Sequence, residues 1–186
     1  MQEASLSFIQ KNKAVIRFLL TFFGSYILLA LVYELYLSLG QSSVFYPEFI
    51  THIVALQSEQ IIAFLGYDTL LSKSLESPAM LIGISGEIMV RVVEGCNAVS
   101  VIILFLSFIL AFKKTWKQTL LYIFAGSVII YTLNIIRIAL LTIGIYHYPQ
   151  HTEFMHGTLF PTFIYGVVFL LWVIWVRNFK KPETNE

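Results

Sequence analysis

Four long runs of apolar residues constrain what this chain can fold into more than any other feature of its sequence. They cover about residues 17–39, 97–112, 118–146 and 158–176. A helix needs about 20 mostly apolar residues to cross the hydrocarbon core of a bilayer. Because 58% of the 186 residues are apolar and 12% are charged, a water-soluble domain of this length is excluded. The sequence therefore predicts one all-α polytopic membrane domain, residues 1–186, with four transmembrane helices.

Lysine and arginine residues distinguish the two sides of this predicted bundle. If both termini are cytoplasmic, three basic residues lie outside, namely Lys73, Arg91 and Arg137. The other nine lie in the cytoplasmic flanks: Lys11, Lys13, Arg17, Lys113, Lys114, Lys117, Arg177, Lys180 and Lys181. Cytoplasmic flanks of membrane proteins are rich in lysine and arginine, so we predict that both termini are cytoplasmic. The net charge of +1 indicates no nucleic-acid partner, and the lipid bilayer is the surrounding medium.

The predicted outer segment, residues 40–96, contains two patterned stretches. Residues 46–66 carry apolar side chains at roughly helical spacing, which predicts an amphipathic helix on the outer surface. Residues 79–94 hold two short β-type runs around Ser85-Gly86, which predicts a β-hairpin. Together they are expected to form an outer cap. The apolar residues after Arg137 are expected to continue as a helix beneath this cap.

Three chemically unusual residues are expected at one depth. At 1.5 Å per helical residue, Arg137 lies about 30 Å beyond Lys117. The same count places Cys96 about 26 Å from Lys113 and His156 about 32 Å from Arg177. On the assumption of straight helices, all three lie at the outer membrane–water boundary, where their side chains can meet.

These residue types suit cysteine acyl transfer. A thiolate is a nucleophile, and a histidine can accept its proton and later protonate a leaving amine. Arg137 is permanently charged and offers several donors to an oxyanion or a carboxylate. Asn134, one helical turn earlier on the same face, can orient the guanidinium. Glu94 and Asn97 give the cysteine a polar surrounding. We therefore predict that Cys96, Arg137 and His156 are catalytic. The predicted supporting residues are Asn134, Glu94 and Asn97.

Other interpretations of the same residues remain open. A lone cysteine is often a small buried apolar residue, Arg137 can extend to the interface, and His156 can be structural. The stretch HYPQHTEFMH, with His147, His151, Glu153 and His156, can instead be a metal site, although Pro149 disfavours one helix across it. A single cysteine cannot form an intramolecular disulfide or a dithiol redox centre. We expect no cofactor and no metal.

The three motifs resemble the exosortase/archaeosortase family. They are E-G-C-N-A at 94–98 opening a span, N-I-I-R at 134–137 inside the next one, and H-G-T-L-F at 156–160 beginning the last. The resemblance covers roughly residues 80–176. Two departures are visible: many members have about eight spans, and many have a small residue and glycine where this chain has Asn97-Ala98.

The resemblance implies a membrane-embedded cysteine transpeptidase or protease of the bacterial inner membrane, with its active site facing the periplasm. Its expected substrates are exported proteins with a C-terminal motif, one transmembrane helix and a basic tail. It implies that Cys96 is the nucleophile, with Arg137 and His156 completing a triad, and it leaves the acceptor unknown. The alternative is a non-catalytic membrane scaffold or assembly factor of the same fold.

Overall fold

The computed structural model describes residues 12–39, 46–113 and 115–177, and most of these residues are helical. Helix α1 spans Lys13–Leu39 and α2 spans Phe49–Phe64. Three strands follow, β1 at Thr69–Lys73, β2 at Met80–Ile84 and β3 at Glu87–Val92. A 3-10 turn, Glu94–Cys96, leads to α3, Val99–Ala111, and then to α4, Trp116–His147. A 3-10 turn (Pro149–His151), a helical turn (Thr152–Phe154) and a π-helical turn (Met155–Leu159) precede α5, Phe160–Arg177.

Three of the described helical segments are long and apolar enough to cross a membrane. They are Lys13–Leu39, Trp116–His147 and the continuous segment Pro149–Arg177. The second predicted span is the apolar helix α3, which has 13 residues and is about 20 Å long. Since a hydrocarbon core is about 30 Å thick, α3 alone does not meet the length criterion. Multi-pass character is thus supported, whereas the count of four spans stays a prediction.

Helix α3 packs antiparallel against α1. Near the end of α3, the Phe112 ring lies 4.6 Å from the Phe18 ring of α1. Just before the start of α3, the Asn97 side chain donates a 2.7 Å hydrogen bond to the Tyr33 hydroxyl of α1. Helix α3 therefore runs alongside α1 for most of the segment from Phe18 to Tyr33.

The hairpin expected around Ser85-Gly86 is present. Strands β2 and β3 pair antiparallel, and both turn residues have positive φ angles, 54° for Ser85 and 84° for Gly86. Two consecutive positive φ angles characterise the type I′ hairpin turn, which matches the twist of the paired strands. The sequence prediction missed β1, which pairs antiparallel with the other side of β2.

The amphipathic helix expected within residues 46–66 is also present, as α2. Its buried side chains include Val54, Ala55 and Ile62, which pack in one cluster with the sheet and with α4. From α4 this cluster takes Ile138, Ala139 and Leu141. The residues after Arg137 therefore continue as a helix packed under α2 and the sheet, as the sequence predicted.

Candidate active site

Cys96 lies at the end of the 3-10 turn between β3 and α3, where it is half-buried. Its amide donates a 2.8 Å hydrogen bond to the Val93 carbonyl, which closes the turn. Ala98 then has a φ of 67°, in the left-handed region that favours glycine, and α3 begins only at Val99. The assumption of a straight helix from Lys113 to Cys96 is therefore wrong, because two non-helical residues separate the thiol from α3.

Asn134 connects Cys96 with Arg137. The Asn134 side-chain nitrogen donates a 2.7 Å hydrogen bond to the Cys96 carbonyl oxygen. Its side-chain oxygen accepts a 3.4 Å hydrogen bond from the Arg137 guanidinium, so the contact expected from their spacing is present. Asn134 is 1% exposed, and one amide side chain therefore links the cysteine turn of one segment to the arginine of another. The catalytic roles of these residues remain predictions.

Arg137 retains unused hydrogen-bonding capacity. It lies on the uninterrupted helix α4 and is half-buried. Its Nε atom is buried and has no hydrogen-bond partner among the described residues. A buried donor without a partner is costly and uncommon in a folded protein, and it is one of the features that mark a ligand site. The Nε–H of Arg137 can thus donate a hydrogen bond to an oxygen atom that enters this buried position.

His156 lies on the π-helical turn and is exposed. Its neighbour Met155 packs against the cluster that Cys96 also contacts. A Cβ atom added to Gly144 of α4 would lie 2.9 Å from the Met155 sulfur, so this turn lies close against α4. Among the described residues, the His156 ring forms no hydrogen bond, and none joins it to Cys96 or Arg137. The straight-helix assumption also fails here, since the turn interrupts the α-helix before α5.

Asn97 is fully buried in a polar network that sequence reasoning did not find. Its side-chain nitrogen donates to the Tyr33 hydroxyl at 2.7 Å and to the Thr51 hydroxyl at 3.0 Å. Its oxygen accepts a 3.0 Å hydrogen bond from the Val99 amide and so caps the start of α3. Glu48, 1% exposed, lies in the same network and caps α2 through the Thr51 amide at 2.7 Å. This network fixes the residue next to the cysteine.

The sequence signal for this network is weak. Glu48 lies near the start of the amphipathic stretch 46–66, where an acidic side chain can cap a helix. Its pairing with Asn97 depends on a contact between residues 49 positions apart, which no local pattern reveals.

Glu94 is the acidic group nearest to the cysteine in sequence. Burial raises the pKa of its carboxyl above the ordinary glutamate value, and the negative charges of Glu48 and Glu34 add to the increase. A cavity of about 290 Å³ between α1 and the cysteine turn is lined by Glu94, Gly95 and Glu34. The surroundings of the turn therefore disfavour additional negative charge on this side.

The residues of the alternative metal site, His147, His151, Glu153 and His156, do not lie together as a set of metal ligands. Within the described ranges, no three histidine, cysteine, aspartate or glutamate side chains lie close enough together to hold a metal ion. His147 instead makes a 2.8 Å hydrogen bond with the Tyr67 hydroxyl.

Comparison with protein families gives one clear finding. The family model described as transmembrane exosortase matches residues 12–176. This range is most of the chain and includes Cys96, Asn134, Arg137 and His156. No curated protein and no solved structure matches the chain significantly.

Proposed function

The chain belongs to the transmembrane exosortase family, and from that membership we propose that it is a membrane-embedded cysteine transpeptidase or protease. We propose that it acts on C-terminal sorting signals of exported proteins. The nucleophile is Cys96, Arg137 stabilises negative charge, and His156 transfers protons. Asn134, Asn97 and Glu94 support the site.

The observation that carries this proposal is the hydrogen-bonded connection from Cys96 through Asn134 to Arg137. Asn134 holds the Cys96 carbonyl at 2.7 Å and accepts from the guanidinium at 3.4 Å. The buried Nε of Arg137 has no partner in the described part of the chain. An arginine kept beside a cysteine turn with a donor to spare suits stabilisation of an oxyanion, because donors fixed in advance need not reorganise during the reaction.

The proposed reaction has two halves. The Cys96 thiol passes its proton to His156 as the sulfur attacks the scissile carbonyl carbon, and Arg137 donates to the oxygen that becomes negative. When the tetrahedral intermediate collapses, the peptide C–N bond breaks, a thioester remains on Cys96, and His156 protonates the departing amine. An acceptor nucleophile or water then attacks the thioester and restores the thiol. Since no hydrogen bond joins His156 to Cys96 among the described residues, the His156 ring must approach Cys96 when substrate binds.

The proposed substrate presents its scissile bond at the outer membrane boundary. In this proposal its C-terminal transmembrane helix lies beside the helices that carry the three motifs, and its basic tail remains in the cytoplasm. Helix α2 and the three-stranded sheet cover α4 beyond Arg137, as the shared core cluster indicates. They therefore form the cap that recognises the sequence motif and limits access of water. The membrane is the bacterial inner membrane, with the site on its periplasmic side.

Removal of the thiol tests the nucleophile assignment directly. We expect Cys96→Ala to lower processing of a co-expressed substrate carrying a C-terminal sorting signal by about a thousandfold or more, because loss of a covalent nucleophile has effects of that size. The measurement is the ratio of uncleaved to cleaved substrate on a gel. Processing by the alanine variant at the wild-type rate would disprove the assignment.

A thiol reagent gives an independent test with the purified enzyme. Cys96 is the only cysteine in the chain, so inhibition of purified protein by a maleimide must act at that residue. We expect the maleimide to abolish activity and a chelator to leave it unchanged. Loss of activity with the chelator alone would favour a metalloprotease built on the alternative metal site at residues 147–156. Absence of any processing activity in a folded protein, whatever the reagent, would favour the scaffold.

A further inference from the structure

A large open cavity lies at the end of the bundle opposite the cysteine turn. It has a volume of about 860 Å³ and lies between the start of α1 and the end of α3. Among the described residues, three basic ones line it: Lys13 and Arg17 from α1 and Lys113 from the segment after α3. The charged side chains among its described lining residues are therefore all basic.

No described acidic residue neutralises these basic side chains. Within the described ranges, none of the three forms an ion pair. The Lys113 ammonium lies 4.0 Å above the centre of the Trp116 ring, a contact that leaves its charge intact. Three like charges around one cavity repel one another, and a bound anion would relieve that repulsion.

The walls of the cavity are apolar. Phe18, Leu110 and Phe112 line it together with the cations. A small hydrated anion would contact only the basic residues. A molecule with a charged headgroup and an acyl chain would contact both the basic residues and the apolar walls. Basic pockets between helices on the cytoplasmic side of membrane proteins bind anionic lipid headgroups.

We propose that this cavity binds an anionic phospholipid of the inner leaflet, with the phosphate between Arg17 and Lys113 and an acyl chain against Phe18 and Phe112. The basic tail of a substrate would be repelled by the same charges, so it is not the occupant. The site is independent of the proposed cysteine chemistry, since it lies at the other end of α1 and α3.

The test is a lipid titration of the purified full-length protein followed by native mass spectrometry. Phosphatidylglycerol and phosphatidylcholine are compared, with inorganic phosphate as a third arm. We expect phosphatidylglycerol to bind at least about tenfold more tightly than phosphatidylcholine. We expect the double variant Arg17→Gln/Lys113→Gln to lose about 30-fold in phosphatidylglycerol affinity. This loss corresponds to about 1 kcal/mol for each cation.

A matched control removes the same charge elsewhere. Lys117 and Arg177 also lie at this end of the bundle and do not line the cavity. We expect Lys117→Gln/Arg177→Gln to change the affinity by less than about threefold, because only nearby charges contribute strongly. An equal loss in this control would show a general surface effect and overturn the site. Equal binding of phosphatidylcholine would overturn it as well.

Two further measurements distinguish a lipid site from a bare anion site and from an effect of packing. Competition by inorganic phosphate at the concentration that displaces the lipid would show a bare anion site and overturn the lipid assignment. The charge-conserving variant Arg17→Lys/Lys113→Arg should retain affinity within about threefold. If it loses as much affinity as the glutamine variant, packing rather than charge determines binding, and the proposal fails.

Discussion

At the scale of single residues, Asn134 is the position on which the proposed site depends most. It makes one contact as a donor, to the Cys96 carbonyl, and one as an acceptor, from Arg137. Asn134→Asp keeps the acceptor for Arg137 and replaces the donor by a carboxylate oxygen that repels the carbonyl. We expect processing to fall about tenfold or more, since the carbonyl of half-buried Cys96 would lose its donor and a lost contact of this kind costs about 1–3 kcal/mol. The measurement is kcat and KM for substrate cleavage.

The leucine variant provides the comparison for this prediction. Asn134→Leu removes both contacts, so it should lose more activity than Asn134→Asp. Wild-type activity in Asn134→Asp would contradict a role for the Cys96 contact, even if Asn134→Leu is inactive.

Glu94 predicts a dependence of stability on pH. Burial raises the pKa of this carboxyl, and Glu48 and Glu34 raise it further. A raised carboxyl pKa in the folded state means that the free energy of unfolding decreases as pH rises from the ordinary glutamate value through the raised value. Glu94→Gln removes this penalty. We therefore expect its melting temperature to equal that of wild type in acid and to exceed it at neutral pH.

The exposed residue Glu87 of the hairpin serves as the control for that experiment. Glu87→Gln should show no comparable gain as pH rises. A melting temperature for Glu94→Gln that falls below wild type with rising pH would mean that the Glu94 carboxylate is stabilising, contrary to this expectation.

Residue identity could be predicted better than residue conformation. The sequence placed Cys96, Arg137 and His156 at one depth, with Asn134 beside Arg137. Asn134 contacts both Cys96 and Arg137, whereas no hydrogen bond among the described residues joins His156 to either of them. The sequence did not reveal the left-handed φ of Ala98, since alanine gives no sign of it. The resemblance did contain a signal, because glycine is frequent in the family at this position and glycine adopts a left-handed φ without strain.

At the scale of helices and strands, close packing of α3 against α4 determines where the cysteine turn lies. A Cβ atom added to Gly126 of α4 would lie 2.3 Å from the Phe105 ring of α3, and that ring is fully buried. We expect Gly126→Ala to lower stability by about 1–3 kcal/mol, because overpacking a filled interior forces side chains and backbone to shift. Thermal unfolding in detergent measures this loss.

Gly24 of α1 is a matched control for Gly126. A Cβ atom there meets nothing within 4 Å, so Gly24→Ala should leave the melting temperature unchanged or raise it, since alanine favours the helix. Adding Phe105→Leu to Gly126→Ala should recover part of the lost stability, because the two positions are in contact. Equal effects of the two glycine substitutions would contradict the close approach of α3 and α4.

Local patterns predicted some elements and not others. The hairpin follows from Ser85-Gly86 between two apolar runs, and α2 follows from helical spacing of apolar residues, so both were found. Strand β1 has only five residues and is ordered by pairing with β2, which no pattern within Thr69–Lys73 signals. The turns before α3 and α5 were missed for a similar reason: apolar composition fixes the helical segment but not where its hydrogen-bonding pattern changes.

At the scale of the whole molecule, the cysteine turn lies where two cores meet. One core joins α2, the sheet and the end of α4, and Cys96 packs against it. The other joins α3, α4 and α5, and Ala98 belongs to it. Residues two positions apart therefore pack in different cores, so a movement of the outer part relative to the helices would change the position of Cys96 directly.

The route of the chain through the membrane is the prediction that concerns the whole molecule. Helix α3 is about 20 Å long, but its end lies beside Phe18, close to the basic start of α1, and its beginning lies beside Tyr33. Because the start of α1 is the predicted cytoplasmic end, α3 covers the interval between Phe18 and Tyr33 of α1 and should cross, with the bilayer thinned locally around it. On a Cys96→Ala background, Glu87→Cys should then react with a membrane-impermeant maleimide in intact cells. Thr115→Cys, exposed just after α3, should react only after permeabilisation. Labelling of both positions in intact cells would show that α3 turns back without crossing, and it would place the cavity lined by Lys13, Arg17 and Lys113 away from a single membrane surface.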